Sequence, residues 1–211
     1  MGYALPLVLG FITASVGVTP PGLINMTAAK VSLNDGRSRA ITFALGAIIV
    51  VFIQTYIAIL FARFINKRPD IVNLLQEVGL TIFLILTIYF FFIAKETKVK
   101  EQDLKERSKM GRFFLGMLLS ALNFFPIPYY VFISITLSTY NYFYFEKSFI
   151  ITFVLGVVLG SFTVFYLYII FFKKIQAKSS FFMSNMNYMI GSVTGLISVI
   201  TIIKLINNYI Q

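Results

Sequence analysis

The chain has 211 residues, of which 58% are hydrophobic and 12% are charged, and its mean hydropathy is +0.86. Soluble domains carry roughly 25% charged residues, so this composition excludes an ordinary soluble fold and leaves room for five or six membrane spans of about 20 residues each. The net charge of +10 does not indicate nucleic-acid binding, because the basic residues lie between apolar runs, where they anchor a chain to the membrane surface.

Two residue types that carry much of enzyme chemistry are absent from the sequence. There is no cysteine and no histidine, which excludes disulfides, thiol chemistry and the commonest general base and metal ligand. Paired aspartates, zinc motifs and Ser/His pairs are also missing. We therefore predict that the chain is not an enzyme and holds no cofactor and no metal, and we keep an intramembrane enzyme or a non-transporting assembly factor as the alternative.

Apolar runs punctuated by charged residues predict an all-α integral membrane protein of six helices. The predicted spans lie near residues 3–29, 40–62, 74–94, 112–138, 148–172 and 183–205. All eight acidic residues fall in loops or at span ends, as the cost of burying a carboxylate in hydrocarbon requires. The first run is interpreted as a retained span, because no basic residue precedes it and no small-residue cleavage site follows.

Span one contains a cluster of helix-breaking residues near its middle, at Thr19-Pro20-Pro21-Gly22. Proline removes a backbone donor and clashes with the preceding turn, so the helix should unwind here. Unwound backbone within a membrane must be buried in protein or line a wet cavity. The released carbonyls, and the N–H groups of the half-helix that starts near Leu23, are candidate ligands for an ionic or zwitterionic solute, with Thr19 and Asn25 adding side-chain hydrogen bonds. The alternative is a simple kink between packed helices.

The segment 95–112 is the only long polar stretch and alternates both signs of charge. This pattern predicts a solvated linker, and docking of a partner or of lipid is the alternative. Span four then carries a second break, with Asn123, Pro126, Pro128 and Tyr129 as its candidate site residues.

The sequence also contains an internal repeat. TFALG at 42–46 recurs as TFVLG at 152–156, and residues 42–65 share nine identities with residues 152–175. At the start of each half, Leu9-Gly10 precede Pro20 by the interval at which Leu115-Gly116 precede Pro126. Three spans per half is an odd number, so the second half must enter the membrane from the opposite side. We predict a single membrane domain over 1–211, with repeat one at 1–94, a cytoplasmic linker at 95–111 and an inverted repeat two at 112–211.

Orientation follows from the distribution of lysine and arginine. Thirteen lie after spans one, three and five, and five lie on the other side. The positive-inside rule places the first group in the cytoplasm and both termini outside the cytoplasm.

Other residues within the spans have two interpretations each. The glycine pairs Gly156/Gly160 and Gly191/Gly195 suit close helix packing, and a homodimer seam is the alternative. Gln54 is favoured as an interhelical hydrogen bond over a solute ligand. Tyr56 and Tyr166 are equivalent in the two halves, and we favour aromatic packing over a place in a cavity.

The segment from Thr19 to Lys30, followed by Gly36-Arg37 and Ala44-Leu45-Gly46, resembles the lysine exporter (LysE-type) translocator family. The family's first motif runs Pro-Gly-Pro, whereas the order here is Pro20-Pro21-Gly22, and its later Asn-Pro element is spread over 123–126. This resemblance implies a divergent member that exports amino acids or related small solutes across the bacterial inner membrane.

Together these features predict a secondary transporter with alternating access, and a channel or a scaffold is the alternative. The solute would bind around Thr19, Pro20, Pro21, Gly22, Leu23, Asn25, Asn123, Pro126, Pro128 and Tyr129. The coupling group stays open at this point: Asp35, Glu77 and Lys30 all lie at span ends, Na⁺ on the unwound carbonyls is a second route, and the membrane potential acting on a cationic solute is a third.

Overall fold

The structure is a computed structural model. It describes residues 3–20, 22–68, 80–81, 84–85, 87–93 and 108–184, together with scattered residues between 188 and 206, and only the backbone of 172–184. Pro21, residues 94–107 of the polar loop and nearly half of each of the predicted spans 74–94 and 183–205 lie outside the described residues.

Every regular element in the described part of the chain is a helix. The long helices are α1 (Ala4–Val18), α2 (Leu23–Asp35), α3 (Arg37–Asn66), α4 (Lys109–Leu122), α5 (Pro126–Thr139) and α6 (Lys147–Ser184). A five-residue π-helical turn covers Tyr89–Ile93. Helices satisfy their backbone groups within one segment, which is what a hydrocarbon environment requires of so apolar a chain.

Two helices are each long and apolar enough to cross a bilayer, namely Arg37–Asn66 and the part of α6 at Lys147–Phe171. The number rises to four if α1 with α2, and α4 with α5, each count as one bent span. Large apolar side chains such as Leu45, Ile49 and Phe61 remain exposed on α3, as expected of a surface that faces lipid. The chain is therefore a multi-pass membrane protein with two to four spans in its described part.

Both predicted breaks are observed. The axes of α1 and α2 differ by 78°, and those of α4 and α5 differ by 60°. Helix α1 ends at Val18 and α2 begins at Leu23, so the first break lies at the Pro20 cluster. Helix α4 ends at Leu122 and α5 begins at Pro126. The helices otherwise extend beyond the predicted spans, since α2 continues to Asp35 and α6 to Ser184.

The contacts within the chain define two units. One comprises Met1–Phe64 with Gln102–Ala177, and the other comprises Ile65–Glu101 with Lys178–Gln211. The first unit contains both breaks and nearly all of the six long helices. In the second unit, Gly191 lies against the ring of Phe91 and Gly195 against Thr87.

The helices of the first unit meet at glycines in two reciprocal pairs. A Cβ at Gly10 of α1 would overlap the carbonyl oxygen of Phe153 in α6, and one at Gly156 of α6 would overlap that of Leu7. In the same way, a Cβ at Gly46 of α3 would overlap the carbonyl oxygen of Phe113. The glycines let these backbones touch, as in other small-residue packing of membrane helices.

The second pair is completed by Gly116 of α4, where a Cβ would overlap the carbonyl oxygen of Phe43 in α3. Gly160 also lies against α1, beside Phe11 and Ala14. The face formed by Gly156 and Gly160 is therefore covered by α1 of the same chain and is not available as a dimer seam.

The tyrosines that match between the halves pack on neighbouring rings. Tyr56 stacks on Phe52 with ring centroids 6.4 Å apart, and Tyr166 stacks on Phe162 at 6.2 Å. Tyr166 is 42% exposed. Aromatic packing, the interpretation favoured from the sequence, describes both residues.

Candidate functional site

The first break releases carbonyl groups that side chains then bind. Proline has no N–H and cannot continue the helical hydrogen-bond pattern, so the carbonyls of the preceding turn need other donors. The Asn25 carboxamide nitrogen donates to Val18 O at 2.7 Å and to Pro20 O at 2.9 Å. The Tyr168 hydroxyl of α6 donates to Thr19 O at 2.8 Å. Three successive carbonyls are thus held by protein donors.

Helix α2 starts beside these carbonyls, and the glycine at its N-cap supplies no side-chain cap. Its N-cap residue, Gly22, is extended and makes no side-chain capping bond. The first hydrogen bond of the helix runs from the Met26 N–H to Gly22 O at 3.0 Å. The earlier N–H groups of a helix have no partner within it and sit at the positive end of its dipole. The start of α2 is therefore rich in donors.

The two predicted side chains at this break differ in environment. Asn25 is buried, with 4% of its surface exposed. Thr19 is exposed, and its hydroxyl donates to Ser15 O of α1 at 2.6 Å. Pro20 is exposed and Gly22 half-buried, while Leu23 is 65% exposed. Asn25 thus shapes the break, whereas Thr19 and Leu23 lie at its surface.

The second break is held by a side chain from the other half of the sequence. Gln54, buried in α3, donates its amide nitrogen to Ser120 O at 3.2 Å and to Asn123 O at 3.0 Å. The side-chain oxygen of Asn123 accepts from the Phe125 N–H at 3.3 Å. The Gln54 Oε1 atom is buried and has no hydrogen-bond partner in the described part of the chain. Gln54 is thus an interhelical hydrogen-bond residue, as favoured from the sequence, and it lies at the break.

Helix α5 begins without free donors, unlike α2. Its first and third residues, Pro126 and Pro128, have no N–H. The Ile127 N–H donates to Phe124 O at 3.3 Å, and the Tyr129 N–H donates to Phe125 O at 3.2 Å. The first four residues of α5 therefore either have no N–H group or use it in a backbone hydrogen bond. Both breaks have carbonyls that accept from side chains, and they differ in that the first is followed by a helix start with N–H groups whereas the second is followed by prolines.

Tyr129 connects the second break to the helix that leads into the first. Its hydroxyl donates to Thr13 O of α1 at 2.8 Å. Its ring lies against Gly17, where a Cβ would be 3.0 Å from Tyr129 Cε1. The ring also stacks on Phe125 with centroids 5.7 Å apart. Tyr129, a predicted residue of the second break, therefore contacts α1, the helix that ends at the first break.

Gln54 and Tyr168 are the residues that sequence reasoning did not place in the site. Each supplies a donor from a helix far along the chain, 69 residues from Asn123 for Gln54 and 149 from Thr19 for Tyr168. The available signal was a polar side chain in the middle of an apolar run. Pro21 lies outside the described residues, so its predicted role has no structural description.

These features define a helical, multi-pass membrane protein with two proline-broken helices whose released carbonyls are bound by side chains, and broken helices of this kind occur in membrane transporters. A family model described as LysE type translocator matches residues 15–204. The chain belongs to this family of translocators. Comparison with curated proteins found no match, and neither did comparison with solved structures.

Proposed function

We propose that the chain is a secondary transporter that exports amino acids or related small zwitterionic or cationic solutes across the bacterial inner membrane by alternating access. The observation that carries this proposal is the pair of breaks whose carbonyls are held by side chains: Asn25 of the following half-helix and Tyr168 of α6 at the first, and Gln54 of α3 at the second. Non-helical backbone at membrane depth is tolerated only where it is buried in protein or lines a water-filled cavity, and a solute site is one such place.

The proposed architecture is six helices in two inverted three-helix repeats, 1–94 and 112–211, joined by a cytoplasmic linker at 95–111 within one membrane domain. Both termini lie outside the cytoplasm. The reciprocal glycine contacts support this, because Gly10 and Gly116 are equivalent in the two halves, as are Gly46 and Gly156. Each first helix therefore packs on the second span of the opposite half, as a two-fold relation between the repeats requires.

The difference between the two breaks fits a solute that carries both charges. The N-terminus of α2, whose N-cap Gly22 supplies no side-chain cap, suits a carboxylate. The carbonyls of Ser120 and Asn123 and the unpartnered Gln54 Oε1 suit an ammonium group. The solute ammonium would take the place of the Gln54 amide nitrogen at these carbonyls. Thr19, Asn25 and Asn123 would fix the orientation of the solute, with Pro126, Pro128 and Tyr129 shaping the second break.

Transport is tested with purified protein in liposomes loaded with radiolabelled amino acids. We expect saturable efflux and counterflow for at least one solute, and at least a tenfold lower rate in the Pro20→Ala/Pro21→Ala variant, because an unbroken helix closes the donor site. Pro6→Ala is the matched control, since Pro6 lies in the first turn of α1. Equal leak with and without protein across a broad panel would support the scaffold alternative, and non-saturable flux without counterflow would support a channel.

The assignment of the carboxylate to the first break is tested separately by competition. Once a transported amino acid is found, we compare its inhibition by an excess of a second amino acid with inhibition by the corresponding amino acid amide. The amide keeps the ammonium group and lacks the carboxylate, so we expect at least tenfold weaker inhibition. Equal inhibition would contradict the role of the α2 start.

A further inference from the structure

A buried ion pair joins the ends of the two broken helices. Asp35 is the last residue of α2, and Arg112 lies in the first turn of α4. The Arg112 guanidinium donates to Asp35 Oδ2 through both Nη2 and Nε, each at 2.5 Å. The Arg112 side chain is 0% exposed and the Asp35 side chain is 1% exposed. Asp35 lies at a helix end, as expected of an acidic residue in this chain, but its carboxylate is buried.

A buried ion pair contributes little to folding stability by itself. Removing two charges from water costs more than their attraction usually returns, so apolar residues of similar volume often replace a buried pair without loss. The remaining Asp35 oxygen, Oδ1, is buried and accepts no hydrogen bond in the described part of the chain. Incomplete pairing of this kind suits a contact that opens and closes.

The position of the pair indicates what it would control. Helix α2 runs from the first break to Asp35, and α4 runs from Arg112 to the second break. The pair therefore ties together the far ends of the two segments whose other ends form the candidate site. It lies beside the segments that hold most of the basic residues, which is the side predicted to be cytoplasmic.

Helix α2 is also a short segment with a glycine next to each end, Gly22 before it and Gly36 after it. It has 13 residues, it follows the break at Gly22, and it is separated from α3 only by Gly36. Gly36 has φ +88°, a conformation that favours glycine, and a Cβ there would meet nothing within 4 Å. A rotation of α2 at these two points would separate Asp35 from Arg112, and it would also break the hydrogen bond from the Ser32 hydroxyl to Ile169 O of α6.

We propose that the Asp35–Arg112 pair is the cytoplasmic gate of the transporter, closed in this structure and opened when α2 moves away from α4 to admit solute. This inference rests on the proposed function for its physiological meaning. The movement itself is a property of the helices, and it can be measured whether or not a solute is known.

The first experiment uses the absence of cysteine from the chain, which makes any introduced thiol unique. The Asp35→Cys/Arg112→Cys variant is cross-linked with a short bis-methanethiosulfonate reagent in liposomes. We expect at least a tenfold loss of transport that dithiothreitol reverses, with the single-cysteine variants unaffected by the reagent. Unchanged transport in fully cross-linked protein would overturn the gate, and so would failure to cross-link when both thiols react singly.

The second experiment measures access to the interior without transport. Ala29 of α2 is fully buried beside Tyr168 and is replaced by cysteine. Alkylation by a membrane-impermeant maleimide is followed in inside-out vesicles, with and without Asp35→Asn/Arg112→Gln, which removes both charges without creating an apolar contact between α2 and α4. We expect at least tenfold faster alkylation when the ion pair is absent. Lys109→Ala is the control, because Lys109 is exposed in the same first turn of α4.

Equal alkylation rates would overturn the gate. If alkylation accelerates but no solute is transported under any condition, the gate stands and the proposed function fails. If transport is found and both gate experiments are negative, the proposed function stands and the gate fails.

Discussion

Two carboxamide side chains hold the carbonyls released at the breaks, Asn25 at the first and Gln54 at the second. They reach their targets differently. Asn25 lies in the half-helix that follows its own break, whereas Gln54 comes from α3 and crosses to the other half of the chain. The proline motifs therefore fix where the helices stop, and single amide groups determine what the stopped backbone can bind.

Replacing Gln54 by leucine should destabilise the protein. The carbonyls of Ser120 and Asn123 would lose their donor in a buried setting, which costs about 1–3 kcal/mol. The measurement is the free energy of reversible unfolding in mixed micelles, followed by circular dichroism. Thr163→Val is the control, because the Thr163 hydroxyl is exposed and donates only to Leu159 O of its own helix. Equal stability of the two variants would contradict the role given to Gln54.

At the scale of elements, the sequence was sufficient for the breaks because proline acts locally. Pro20 and Pro126 interrupt their helices whatever surrounds them, and the observed ends at Val18 and Leu122 follow from this. The partners of the breaks could not be derived in the same way. Self-comparison shows which segments are alike but not which become neighbours, and the contacts of Gln54 and Tyr168 depend on that neighbourhood.

The partner of a buried charged residue could not be predicted from the sequence either. Asp35 stands at a helix end, where a carboxylate is normally hydrated, and no local pattern shows that Arg112 covers it. Only the packing of α2 against α4 brings them together. Residues that act through distant helices are the part of the site that sequence reasoning left out.

The glycine contacts give a prediction for helix pairs. Gly116→Ala and its counterpart Gly10→Ala should each destabilise the protein by about 1–3 kcal/mol, because the new Cβ meets backbone that cannot rotate away. Thermal unfolding by circular dichroism measures the effect. Gly195→Ala is the control, since a Cβ there would lie 3.4 Å from Thr87 Cγ2, an ordinary contact. Tolerance of alanine at Gly116 would contradict the close approach of α3 and α4.

At the scale of the whole molecule, the prediction is the orientation of the chain. A reporter that is active only outside the cytoplasm should be active when fused after Gln211, because six spans return the chain to its starting side. Gln102→Cys in the linker should react with an impermeant maleimide only in inside-out vesicles. A cytoplasmic C-terminus would mean an odd number of spans and would contradict the inverted repeat.

The reciprocal packing of the first unit also bears on how the protein is made. Helix α1 is synthesised before α6, yet the backbone that its Gly10 touches lies at Phe153 in α6. Until α6 is synthesised, the surface of α1 at Gly10 has only lipid or temporary partners. Completion of the bundle must therefore wait for the second half of the chain, and a nascent chain that stops before Lys147 leaves Gly10 without its permanent neighbour.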